Sequence, residues 1–139
     1  MMYLSTVGSD GFPYTRIMSN LRNKKEHPGL VKIFEQHKDD FLIFMVTSSS
    51  SDKMHQIRAN PKVSVYLAAY SDTPSEFQCL MLGGEIEIIT NQELKNRIWQ
   101  KGWTMYYPNG PEGPEYGVIK LVPSIAKGRG KNGPFEIKL

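Results

Sequence analysis

Apolar and polar positions change places in short blocks along the chain, and the period of each block indicates the element it can form. YLSTV (3–7) and FPYTRIMS (12–19) are rich in aromatic and β-branched residues and are separated by Ser9, Asp10 and Gly11. That trio is turn chemistry, so the pattern predicts a β-hairpin. Period-two alternation places Tyr14, Arg16 and Met18 on one face of its second strand. Residues 20–40 begin polar, and HPGLVKIFEQH then spaces Leu30, Ile33 and Phe34 as a helix does, with Pro28 suited to a first turn. A short helix inserted between strands is expected there. FLIFMVT (41–47) lacks polar alternation, which predicts a strand covered on both faces.

The second half repeats this logic. DKMHQIRA (52–59) sets Met54 and Ile57 three apart, and Asn60-Pro61 ends the run because proline disfavours the helical region for the residue before it. KVSVYLAAY (62–70) and QCLMLGGEIEII (78–89) read as strands, and Gly83-Gly84 marks a bulge or a close backbone approach in the second. Thr90 and Glu93 have capping-box spacing, opening a helix with Leu94 and Ile98 on one face. YYPNGPEGPE (106–115) is a loop of turn formers and GVIKLVP (117–123) a strand. The tail is basic and glycine-rich, with a last strand near its end. The sum is one domain over residues 1–139, mainly β, a barrel-like sheet of six or seven strands with two or three short helices.

Composition narrows the function classes. Apolar content of 40% with 11% aromatics suffices for one core at this length. The net charge of +3 is spread along the chain, which does not signal nucleic acid and is compatible with a small anionic ligand. Cys79 is the only cysteine and His27, His37 and His55 are scattered, so an intrachain disulfide and a thiolate metal cluster are excluded and a reducing setting is expected. No apolar run approaches the ~20 residues of a membrane helix, and the first residues lack signal-peptide features. A soluble, cytoplasmic protein is the expectation.

The candidate chemistry sits where FLIFMVT runs into SSSSDK. A helix N-terminus presents unpaired N–H groups and partial positive charge, which favours an anion. Thr47 and Ser51 add hydroxyl donors, Lys53 a full charge in the first turn, and Arg16 a guanidinium from a neighbouring strand. Lysine in a first turn opposes the helix dipole, so its presence suggests a compensating anion. Three or four charge-assisted bonds at roughly 1.5–3 kcal/mol each give about 5–12 kcal/mol before ordering costs, against about 8 for micromolar binding. A phosphate carrying an apolar ring system fits that balance, with Met18, Phe44 and the tryptophans available to the ring. The spacing alone is equally that of a serine-capped helix. Elsewhere the bland reading prevails. GRGKNG (128–133) satisfies G-x-G-x-x-G without the following helix a dinucleotide loop needs. Lys127, Arg129 and Lys131 make a solvated basic segment, His55 a helix-surface residue, Cys79 an inert core thiol, and Glu85 and Glu87 the polar face of a strand. No catalytic side chain or metal ligand stands out.

Taken together, Thr47, Ser51, Lys53 and MHQIRANPKVSV resemble the T-x-x-x-S-x-K and H-Q-I-x-x-N-P-x-V-S pattern of the pyridoxamine 5'-phosphate oxidase-like FMN-binding split barrels. FPYTRIMS resembles the family's G-x-P-x-x-R-x-M strand, and IWQKGWTMYYPNGPEGPEYGVIKLVP its general stress protein branch. The resemblance implies a split β-barrel, a homodimer with FMN sites at the subunit interface, and a nicotinamide nucleotide as reductant. It implies that Arg16 and Lys53 hold the phosphate, helped by Thr47, Ser51 and the helix start at Asp52. Ile17, Met18 and Ser19 lie along the flavin ring, Val46 approaches it, and Gln78 contacts it. Trp99 or Trp103 either closes the site from the partner or packs in the core. Asp52 stands where authentic pyridoxamine phosphate oxidases often carry arginine, and their C-terminal substrate pattern is missing. A different FMN-dependent oxidoreductase is therefore expected. The alternatives are a non-enzymatic flavin-binding stress protein, a haem-handling relative, and an interaction module without cofactor.

Overall fold

The computed structural model describes all of residues 1–139. The opening hairpin pairs β1 (Met2–Val7) with β2 (Pro13–Met18), and Gly11 takes a φ of 81° in the turn between them. The unalternating run forms β3 (Ile43–Ser48), followed by the eight-residue helix α1 (Asp52–Ala59). Next come β4 (Lys62–Ala69), β5 (Gln78–Ile88), helix α2 (Gln92–Ile98), β6 (Tyr116–Gly130) and β7 (Gly133–Lys138). All pairings are antiparallel, in the order β2-β1-β4-β5-β6-β3, with β7 on the far half of β6. The two ends of this curled sheet, β2 and β3, do not pair as strands. The chain leaving β2 touches β3 only through Leu21 N–H to Phe44 O at 2.9 Å, so the barrel is split there.

Two cores explain the pattern of β3. Ile43 and Met45 face a thirteen-residue cluster inside the barrel, together with Leu4, Val65, Leu82 and Ile119 and with Met54 and Ile57 of α1. Phe44 faces a second cluster with Leu21, Leu30, Phe34, Ile98, Tyr116 and Val118. Burial on both faces is what a run without polar alternation requires. The glycine pair in β5 marks the expected irregularity: the register against β6 shifts between Gly83 and Gly84, with Ser124 of β6 as the extra residue. A Cβ on Gly84 would stand 2.2 Å from the carbonyl oxygen of Val122, so only glycine fits.

Four expectations need correction. Residues 20–40 form no α-helix but turns and two 3₁₀ segments, Pro28–Leu30 and Glu35–His37, that still bury Leu30 and Phe34. The spacing i, i+3, i+4 serves 3₁₀ turns as well as an α-helix. The cap of α2 is Asn91, whose side chain accepts from Leu94 N–H at 2.9 Å, not Thr90. β6 continues past Pro123 to Gly130, because the bulge beside that proline, with Ser124 as the extra residue, removes the need for its missing donor. Cys79 is half-buried rather than a core residue. The GRGKNG stretch is the turn of the β6–β7 hairpin, with Gly133 at φ 102°. No helix is long and apolar enough to cross a membrane.

Candidate functional site

The site begins with one polar residue in an inward slot. On β1, Met2, Leu4 and Thr6 point into the barrel, and Thr6 is fully buried. Its hydroxyl accepts from Arg16 Nη1 at 2.6 Å and donates to Gln56 Oε1 on α1, which also accepts from Arg16 Nη2 at 3.3 Å. Leu4 O takes a further Nη1 contact at 3.4 Å. Three polar partners therefore hold the guanidinium over the start of α1. Lys53, three residues before Gln56 and on the same helix face, donates from Nζ to Thr47 Oγ1 at 3.0 Å. Thr47 continues the inward row of β3 and is buried, and Ser51 Oγ approaches the same oxygen at 3.5 Å.

Arg16, through Gln56, and Lys53 thus meet the same face of α1, and neither forms an ion pair. Burial lowers the Lys53 pKa below its ordinary value, the Arg16 charge lowers it further, and the Asp52 charge opposes both. Burial likewise lowers Arg16, again against Asp52. Ser51 occupies the N-cap position with extended φ and ψ but makes no capping bond, its side-chain contact being the long one to Thr47 Oγ1. The backbone N–H groups of Asp52 and Lys53 have no backbone acceptor, as the first turn of a helix dictates. Arg16, bonded to Thr6 and Gln56, and Lys53, bonded to Thr47 beside Ser51 and the open amides of the first turn, are thus presented along one face of α1, a donor set of the kind a phosphate dianion takes.

The structure brings Arg16, Thr47, Ser51, Asp52 and Lys53 together and distributes the remaining sequence candidates. Met18 points inward and packs on the barrel core, while Ile17 faces outward and is 63% exposed. Ser19 bonds to Glu26 and His27. Val46 turns its side chain toward the second core, so its backbone is the part that faces Thr47's neighbours. Gln78 lies apart. Arg16 is in register, through Leu4 and Val65, with Leu82 of β5, and Gln78 is four residues further along, about 13 Å by strand rise. It lines an apolar groove of about 530 Å³ with Leu67, Leu80, Phe135 and Ile137. Phe44 is not available to a ligand as the sequence suggested, because it is buried in the second core. Trp99 and Trp103 are half-buried and pack edge-to-face at 6.1 Å beside Tyr116. Sequence reasoning missed Thr6 and Gln56. The available signals were a polar residue at an inward strand position and the i,i+3 spacing from Lys53.

A seven-stranded, curled antiparallel sheet whose end strands do not pair defines a split β-barrel protein. The sequence profile described as pyridoxamine 5'-phosphate oxidase matches residues 1–128, and the chain belongs to that family. Among solved structures it resembles a protein from Clostridium acetobutylicum related to general stress protein 26. The two are 23% identical over 99% of this chain and 84% of that one, with a TM-score of 0.69. A haem-binding protein from Mycobacterium smegmatis matches at 14% identity over 99% of this chain and 52% of that one, with a TM-score of 0.68. A pyridoxamine 5'-phosphate oxidase-related, FMN-binding protein from Nostoc punctiforme matches at 16% identity over 97% and 77%, with a TM-score of 0.60. At these identities the likeness is one of fold. No curated protein matches the chain.

Proposed function

We propose that the chain is an FMN-binding flavoprotein and an FMN-dependent oxidoreductase acting on a small substrate. The observation that supports this reading is the placement of Arg16 and Lys53 along one face of α1 without a carboxylate partner, on a scaffold of buried hydroxyls and helix N–H groups. Arg16, Thr47, Ser51, Lys53 and the Asp52 amide would hold the phosphate, and the Ile17–Ser19 edge would run along the ring. Bound FMN supplies two-electron chemistry at its ring nitrogen N5. The protein binds the phosphate, orients the ring and shields one ring face from water.

A homodimer completes the site in this reading. Ile17, Tyr3, Tyr66 and Met81 are cross-strand neighbours on the outer face of the sheet, and Ile17 and Tyr66 are exposed. Such an apolar row suits a second copy. Gln78, remote from the cations of its own protomer, would then reach a ring held by the partner. A nicotinamide nucleotide is the proposed reductant. The test is the visible spectrum of protein purified without added flavin, for wild type and Lys53→Ala. A yellow wild type and a paler variant are expected, and equal flavin content would remove Lys53 from the phosphate site. Turnover of NADH or NADPH faster than free flavin identifies an oxidoreductase. A rate equal to that of free flavin identifies flavin storage instead.

A further inference from the structure

Beside the end of β2 lies a cavity of about 560 Å³ that phosphate binding does not use. Met2, Met18 and Leu67 give it an apolar floor, and Ser19, Asn23 and Glu26 a polar mouth. The loop bearing the mouth is tied to itself. Asn20 Oδ1 accepts from Arg22 N–H at 3.0 Å, Asn23 N–H donates to Asn20 O at 2.9 Å, and Asn23 Oδ1 accepts from Lys25 N–H at 3.0 Å. Within this loop the Glu26 carboxylate is held from both sides. Oε1 accepts from Asn23 Nδ2 at 2.9 Å and Oε2 from the Ser19 hydroxyl at 2.8 Å.

Both of those donors are neutral. No lysine or arginine pairs with Glu26, although Lys24 and Lys25 precede it in the chain. Ser19 has one hydroxyl proton and gives it to Glu26, so the 2.7 Å contact between Ser19 Oγ and His27 Nε2 is donated by the imidazole N–H. The array therefore runs His27 N–H to Ser19 O–H to Glu26, polarised toward the carboxylate. A carboxylate has about four acceptor positions, and two are filled here. What remains is a fixed anion at the mouth of an apolar cavity, with acceptor capacity to spare and no countercharge.

We infer that this cavity binds a small molecule presenting an ammonium group to Glu26 and an apolar ring or chain to Met18 and Leu67. A carboxylate or phosphate in the same position meets Glu26 as a like charge, and the neighbouring side-chain N–H groups of Asn23 and His27 already donate to Glu26 and Ser19. Ile17, Met18 and Ser19, the edge proposed for the flavin ring, line this cavity, so its occupant would lie against the ring and describing it as a substrate rests on the flavin reading. The preference for a cation does not.

The test is calorimetric titration of the full-length protein with benzylamine, benzyl alcohol and benzoate, with flavin content read from the visible spectrum of each sample. Benzylamine should bind about tenfold more tightly than benzyl alcohol, the scale of one charge-assisted bond at an exposed carboxylate. Benzoate should bind most weakly. Glu26 is exposed, so Glu26→Gln should keep the melting temperature and flavin content while erasing the difference between amine and alcohol. Lys53→Met should lower flavin content and leave the amine preference intact. Equal binding of the three probes, no binding of any, or an amine preference that survives Glu26→Gln overturns the inference. A colourless wild type that prefers benzylamine refutes the flavin reading alone, and a yellow one without the preference refutes the cavity assignment alone.

Discussion

Replacing Lys53 by methionine separates what the residue does for the fold from what it does for a bound phosphate. In the free protein two effects oppose each other. The variant loses the bond to Thr47 Oγ1, which contributes about 1 kcal/mol. It also loses a half-buried charge whose pKa is lowered by burial and by Arg16, a relief of similar or smaller size once solvent screening is allowed for. The unliganded stability should therefore change by less than about 1 kcal/mol. With FMN bound only the loss remains. One charge-assisted bond at a half-exposed position is worth about 1.5–2 kcal/mol, so affinity should fall roughly 10–30-fold. Thermal denaturation with and without FMN, beside a flavin-fluorescence titration, reads both quantities. The pH dependence supplies a sign. Because the folded pKa lies below 10.5, the unfolded chain binds more protons in the window under that value, and the stability of the free protein rises with pH there. Methionine should remove that slope. An unchanged FMN affinity, or an equal loss of stability with and without FMN, would refute the reasoning.

Three further outcomes test other parts of the account. Thr6→Val keeps the side-chain shape but leaves Arg16 and Gln56 without their shared buried partner, so urea denaturation should show a loss of about 1–3 kcal/mol, together with weaker FMN binding. Gly84→Ala forces a Cβ against Val122 O and should cost about 2–3 kcal/mol or more, seen as a clear fall in melting temperature. Asn91→Ala should cost about 1 kcal/mol by removal of the α2 cap, whereas Thr90→Ala should be close to neutral in the same assay.

Much of the fold was legible because burial leaves a mark on sequence. The unbroken FLIFMVT run required two covered faces and found them, and Gly83-Gly84 marked the bulge that lets β5 curl. The failures have local causes. Leu30, Ile33 and Phe34 were spaced as for an α-helix, but Pro28-Gly29 and the Arg22 contacts to Asp40 and to the carbonyl of Leu42 favour tight turns. Pro123 seemed to end a strand, since the bulge at Ser124 that accommodates it appears only when β6 is paired with the Gly83-Gly84 step of β5, far away in sequence. Of the candidate site, the neighbourhood of Thr47, Ser51 and Lys53 followed from their spacing. Thr6 left only the trace of a polar residue at an inward position, because its role depends on which strand lies beside β2, and the separation of Gln78 depends on register.

The central claim, that the pocket between Arg16 and Lys53 holds a flavin phosphate, is tested most directly by comparing FMN with riboflavin. The two share a ring and differ in the phosphate alone, so the ratio of their dissociation constants isolates the pocket. Wild type should bind FMN at least about 100-fold more tightly than riboflavin, and Lys53→Met should narrow that ratio by about tenfold. Equal affinities of the wild-type protein for FMN and riboflavin would contradict the account.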